Sequence, residues 1–289
     1  MNVTAAFSGA RLPMLAARVV WLGAAIVGAL ALRPHSPVAT WAWWLAAAAV
    51  LAAMVARGAA ALTVSRLVIP LSVPALLLAW IAGGETVWCA VALALAVVAV
   101  LLVSSAEVGE AMVQGGAYGQ EERFPLRPPA AVLLPMVLSW SVWAAAVLSA
   151  VALLADRRWL PGLIVAAAAA VLSWLLPRRF HRLSRRWLVL VPAGLVVHDH
   201  LVLGETLMVQ RPNVSLARLA LADTQAADLT GPAAGHAVEV TVREMVLAVL
   251  PTTREHPKGK ALHVGAFLVS PSRPGRALRA VAAAGYSVD

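Results

Sequence analysis

Arg178-Arg179-Phe180-His181-Arg182-Leu183-Ser184-Arg185-Arg186-Trp187-Leu188-Val189-Leu190-Val191 is the stretch at which the chain changes solvent. Before it, apolar runs are long enough to cross a bilayer. After it, apolar runs last only a few residues and are broken by turn-forming residues. The composition fits two solvents: 61% of the 289 residues are hydrophobic and 13% are charged. A soluble globular chain is nearer half apolar and a quarter charged. The apolar excess lies upstream of Arg178, so the expected architecture is a membrane all-α bundle followed by a soluble, mostly-β domain.

Working upstream, a helix needs roughly 17–25 apolar residues to cross the hydrocarbon core. Six spans are predicted: Met14–Leu32, Val38–Ala56, Leu67–Ala82, Thr86–Val103, Ala130–Ala155 and Trp159–Leu176. The third is short and can begin near Ala59, with Arg66 at the membrane surface. Pro70 and Pro74 predict a packing kink in it, because each removes a backbone donor. Arg11 and Arg18 precede the first apolar run without a small-residue cleavage site and a polar mature chain. That run is expected to stay as an anchor rather than be cleaved as a signal.

Arginine placement orients the spans. One side carries Arg11, Arg57, Arg66, Arg123, Arg127 and the run Arg178, Arg179, Arg182, Arg185 and Arg186. The opposite loops carry Arg33, Arg157 and Arg158. The positive-inside rule then puts both termini in the cytoplasm, and dominance of alanine and arginine, with Lys258 and Lys260 the only lysines among 23 basic residues, suggests a GC-rich bacterium and hence a bacterial cytoplasmic (inner) membrane. Trp41, Trp43, Trp44, Trp80, Trp88 and Trp159 all fall at predicted outer ends, as an interfacial aromatic belt requires.

The expected division is residues 1–186 as transmembrane domain, with a cytoplasmic loop at 104–129 and a basic exit at 178–186, and 187–289 as a self-sufficient strand-rich domain. Glu107 and Glu110 lie three apart on one helix face extending the fourth span into water. Glu121 and Glu122 follow on the loop. One expectation is that a glutamate of this set meets an arginine of the exit at salt-bridge distance. The competing one is that the arginines face anionic lipid headgroups, at roughly 1 kcal/mol each, and the glutamates face water.

Chemistry is sparsely signalled. Cys89 is the sole cysteine, so no disulfide within the chain and no cysteine metal cluster is expected. His198-Asp199-His200 reads as an exposed strand end, with His236 and His263 too scattered to complete a metal site. No cofactor, metal or catalytic residue is predicted. The net charge of +9 points to membrane lipid, since no nucleic-acid motif accompanies it.

Downstream, Trp187–Val191, the turn Pro192-Ala193-Gly194 and Leu195–His198 predict a hairpin. Thr206–Gln210, Val214–Leu219, the alternating Val238, Val240 and Val242, then Met245–Leu250 and Leu262–Val269 predict further strands. Ser272 is the expected cap of a closing helix whose inner face carries Leu278, Val281 and Ala282, with Gly285 stopping it. Leu195-Val196-Val197 after the turn, and Phe267-Leu268-Val269-Ser270-Pro271 before the helix, resemble a bacterial pleckstrin-homology-like domain. That resemblance covers about a third of the chain and implies protein or lipid contact without catalysis. Arg123-Phe124-Pro125-Leu126-Arg127-Pro128-Pro129 and Arg178-Arg179-Phe180-His181-Arg182-Leu183 resemble segments of actinobacterial multi-pass membrane proteins, which implies no particular chemistry. The function expected is a non-enzymatic membrane protein whose cytoplasmic domain contacts a protein partner, its own copies or the membrane surface. The alternatives are a transporter or its accessory subunit, and an enzyme acting on a lipid or envelope precursor through Glu107, Glu110, Glu121, Glu122 and His181.

Overall fold

The computed structural model describes residues 3–32, 36–252 and 259–289, with side chains from Leu12 onward. Arg33, expected in an outer loop, the Arg11 side chain and Lys258 lie outside the described residues. The chain divides into two units, residues 1–115 with 136–181 and residues 116–135 with 182–289.

In the first unit the helices are α1 (Val3–Leu32), α2 (Pro37–Ala56), α3 (Ala59–Ile81), α4 (Thr86–Ser104), α5 (Ala106–Gln114), α6 (Ala130–Ala155) and α7 (Trp159–Ser184). All except α5 are long and apolar enough to cross a membrane, so six such helices stand among the described residues. The third begins at Ala59, the earlier of the two starts open to it. α4 presents Cys89, Ala92, Ala96, Ala99 and Val103 inward. Small residues at this spacing let backbones approach closely where no hydrophobic drive separates helix from lipid. α6 buries only Trp143, Ala144 and Ala150. Large indoles meet its neighbours instead: Trp140 Nε1 donates to Leu67 O at 3.1 Å and Trp143 Nε1 to Ser173 Oγ at 2.9 Å.

Two expectations fail in this unit. Trp43 does not join an interfacial belt. It is 7% exposed and its Nε1 donates to Ala25 O at 2.8 Å, whereas Trp41 is 70% exposed. Gly28 makes the room, since a Cβ there would collide with the Trp43 ring. Nor does the fourth helix run on into water. Ser105, with ψ 151°, breaks it and caps α5, its Oγ accepting from Val108 N at 3.2 Å. α5 then folds back, with Val108, Met112, Val113 and Glu110 all buried.

Among its described residues the second unit contains two four-stranded sheets and an α-helix. Strands β1 (Glu122–Pro125), β2 (Trp187–Val191), β3 (Gly194–His198) and β4 (Leu207–Gln210) form an antiparallel meander in that order. The other sheet runs β5 (Val214–Leu219), β7 (Val238–Leu250), β8 (Lys260–Val269), β6 (Ala227–Asp228), with β6 parallel to β8. Helix α8 (Pro274–Ala283) closes the core through Ala277, Leu278 and Val281. Phe124, Leu188, Leu195, Val209, Val240 and Phe267 belong to that same core. β7 is continuous across the two predicted strands, with a register shift between Thr241 and Val246. Asn213 supports the backbone there: its Oδ1 accepts from Glu244 N at 2.7 Å and its Nδ2 donates to Glu244 O at 2.9 Å.

The boundary expected at residue 187 is therefore wrong in one respect: the loop supplies a strand. Phe124 pairs with Leu188 and Pro125 with Trp187. Pro125 is tolerated because β1 is the sheet's edge strand. Ser272 is likewise no helix cap. Its N and Oγ donate to Pro125 O at 2.7 and 2.9 Å. Ala282 is exposed, and Ala277 takes its expected place inside.

Candidate functional site

At the end of α7 the arginines differ from one another. In the first unit Arg178 stacks over the Trp174 ring, its Cζ 3.7 Å from the centroid. His181 Nδ1 lies 3.2 Å from Thr63 Oγ1, which donates to Ala59 O at 2.8 Å. In the second unit Arg186 is 1% exposed. Its Nε and Nη2 donate to the two carboxylate oxygens of Asp199 at 2.7 and 2.6 Å, and its Nη1 donates to Arg127 O at 2.7 Å. Asp199 Oδ1 also accepts from Leu201 N at 3.0 Å. Its chain position, one residue before β2, carries the Arg186 side chain inward. Arg186 is thus a structural cation and does not reach a headgroup.

The expected glutamate–arginine contact does not form within either unit. Glu121 Oε1 pairs with Arg123 Nη2 at 2.5 Å, and Arg186 is taken by Asp199. Among the described residues, Arg178 and Arg179 in one unit and Arg182 and Arg185 in the other have no carboxylate partner. Glu110 is buried rather than solvated. Glu122 is half-buried on β1, and burial pushes its carboxyl pKa up.

His198 does end a strand, β3, and His200 beyond it is exposed, but His198 itself is half-buried. Its ring stacks on Trp187 with centroids 5.3 Å apart, meets His200 edge-on at 4.2 Å, and places Nδ1 3.2 Å from Thr206 Oγ1. Arg123 lies over the other partner of that stack, its Cζ 5.0 Å from the Trp187 centroid. Burial is the main cause that holds the His198 pKa below its ordinary 6.5, helped by His200, Arg185 and Arg123 and opposed by Asp199. Trp187 thus lies between the Arg123 guanidinium and the His198 ring, and His200 meets that ring in turn. The sequence named each residue but not the grouping, because Arg123 comes from the loop strand. Among the described residues no three histidine, cysteine or acidic side chains converge as a metal site.

In the first unit a cavity of 610 Å³ is walled by one face each of α2, α3 and α6, with Trp21 and Leu32 of α1. Its lining is apolar apart from Ser36, Ser72 and Asp156 and the indole nitrogens. Those nitrogens and Ser72 are already committed. Trp21 Nε1 donates to Ala47 O at 3.3 Å, Trp43 Nε1 to Ala25 O at 2.8 Å and Ser72 Oγ to Ile69 O at 2.5 Å. No sequence signal announced this cavity, since its walls are the alanines and leucines of ordinary spans.

No protein-family model matches the chain, and no curated protein or solved structure matches it.

Proposed function

We propose that this is a non-enzymatic integral membrane protein of the bacterial inner membrane, whose cytoplasmic strand-rich domain mediates membrane-surface or protein–protein interaction in an assembly or scaffold role. The observation that carries this reading is the arginine run leaving α7. Four of its five cations have no carboxylate partner among the described residues, while the fifth is locked inside the sheet. Unpaired arginines directly after an apolar span attract anionic headgroups by about 1 kcal/mol each within a Debye length. The pleckstrin-homology-like resemblance of the strand series supports the same class of contact. The arginine asymmetry of the loops supports cytoplasmic termini.

Hydrogen exchange on the full chain in bilayer discs tests the reading. With anionic lipid, exchange at 182–186 and along β2 and β3 should slow relative to discs of zwitterionic lipid. Replacing Arg178, Arg179, Arg182 and Arg185 by glutamine should abolish the difference, and so should high salt. Identical exchange in the two bilayers would refute the membrane-surface reading.

A further inference from the structure

The cavity in the helical unit has a one-sided chemistry. α2 faces it with Ala39, Ala42 and Ala46, α3 with Ala75 and Ala79, and α6 with Ala152 and Ala155, beside larger apolar side chains of α3 and α6. On each helix these positions recur three or four residues apart, so each presents a single stripe. Alanine on three facing stripes leaves the space that larger side chains would fill. At 610 Å³ the volume lies within the range of ligand pockets, about 300–1,000 Å³.

The wall cannot recognise a polar solute. Both indole nitrogens and the Ser72 hydroxyl are spent on backbone carbonyls, so what remains along the cavity is hydrocarbon. Its surviving polar groups gather at one end, where α1 and α3 finish and α2 begins: Ser36 and Asp156. Asp156 is exposed and precedes Arg157 and Arg158. Among the described residues none of these three charged groups has an ion-pair partner. An apolar cavity with Asp156 at its end, and Arg157 and Arg158 next along the chain just beyond the lining, complements an amphiphile with a hydrocarbon tail and a headgroup bearing an amine and a phosphate. The helices around it are of membrane-spanning length, so lipid is the medium that supplies such a molecule.

We infer that this cavity holds one acyl chain of an amine-bearing phospholipid, whose ammonium meets Asp156 and whose phosphate meets Arg157 and Arg158. The site lies in the helical unit and stands or falls independently of what the strand-rich unit contacts.

The test uses the full chain, stripped of lipid in mild detergent and offered phosphatidylethanolamine, phosphatidylglycerol and a polyprenyl phosphate, with retention read by native mass spectrometry. The unaltered protein should retain a single phosphatidylethanolamine. A75F/A152F, which fills the cavity, should bind it about tenfold more weakly, a difference of one decade in Kd. L138F, on the exposed face of α6, should not. D156N should keep a lipid but lose the preference for phosphatidylethanolamine over phosphatidylglycerol. Equal retention by A75F/A152F and the unaltered protein would overturn the inference, as would preferred binding of the polyprenyl phosphate or retention of detergent alone. A second measurement needs no variant. A phosphatidylethanolamine carrying a photoreactive diazirine in its acyl chain should crosslink to α2 and α3 peptides that line the cavity. Crosslinks confined to outward positions such as Leu138 would also overturn it.

Discussion

Arg186 and Asp199 form the most deeply buried ion pair among the described residues of the strand-rich unit. Both side chains are fully excluded from solvent. Removing two ions from water costs several kcal/mol apiece, which only good geometry and complete hydrogen bonding can offset. Here the fork is bidentate, Nη1 is taken by Arg127 O, and Asp199 receives Leu201 N. Asp199→Asn leaves a buried guanidinium uncompensated and should cost about 3–5 kcal/mol of stability. The double replacement Arg186→Met with Asp199→Leu should recover most of it. Chemical denaturation of the full chain in detergent, followed by near-ultraviolet circular dichroism, measures both. His198 adds a pH dependence of known sign. Its folded pKa lies below 6.5, so the unfolded chain binds the proton more readily and stability rises with pH. The contribution is complete above about 6.5 and is lost as pH falls through the folded value. His198→Phe keeps the stack on Trp187 and should flatten the stability profile on the acid side of 6.5. An unchanged slope would assign the dependence to other groups.

The expected self-sufficiency of residues 187–289 gives way at the scale of elements. β1 contributes Phe124 to the core at 2% exposure, with Leu126 following it at 5%. The segment is stitched further by Leu126 N to Arg186 O at 2.9 Å and Arg127 N to Ser270 O at 2.8 Å. A polypeptide of residues 187–289 alone lacks these and Arg186, so it should show no cooperative thermal unfolding. Residues 116–129 joined by a flexible linker to 182–289 should show it. Phe124→Ala in the full chain should cost about 3–5 kcal/mol. A cooperative transition from 187–289 at the temperature of the linked polypeptide would contradict this. The sequence hid β1 for physical reasons. It is four residues long, contains a proline, sits among glycines and prolines, and pairs with a strand more than sixty residues away in the chain. By contrast Trp187–Val191 and Val214–Leu219 were legible to the residue, because apolar runs bounded by turn residues specify strands locally. Trp43 shows the same limit on a helix. Clustering near a span end suggests a belt, but Trp41 and Trp44 share a face that Trp43 does not. Only the gap opened by Gly28 on another helix decides where Trp43 goes.

For the whole molecule, pairing of β1 with β2 constrains the path of the chain. The strand-rich unit takes residues on both sides of the α6–α7 hairpin, so the chain must leave it and return to the same side. If α6 and α7 each cross a membrane, two crossings satisfy that, and crossings by the other four helices of spanning length would bring the N-terminus to that side as well. The division into apolar helices and a later sheet domain was legible because the lipid requirement, a long uninterrupted apolar run, is coarse and local. Which arginine is structural and where a cavity opens were not, because both depend on what distant elements leave room for. The strand-rich unit is assembled from two separate segments, and the proposed function places it on the cytoplasmic face of a six-span protein. Single cysteines at positions 120, 157 and 289, introduced after Cys89→Ala and treated with a membrane-impermeant maleimide, test it most directly. Arg157→Cys should label in intact cells, while Gln120→Cys and Asp289→Cys should label only after the membrane is opened. Labelling of position 120 and position 289 from opposite sides would contradict the account.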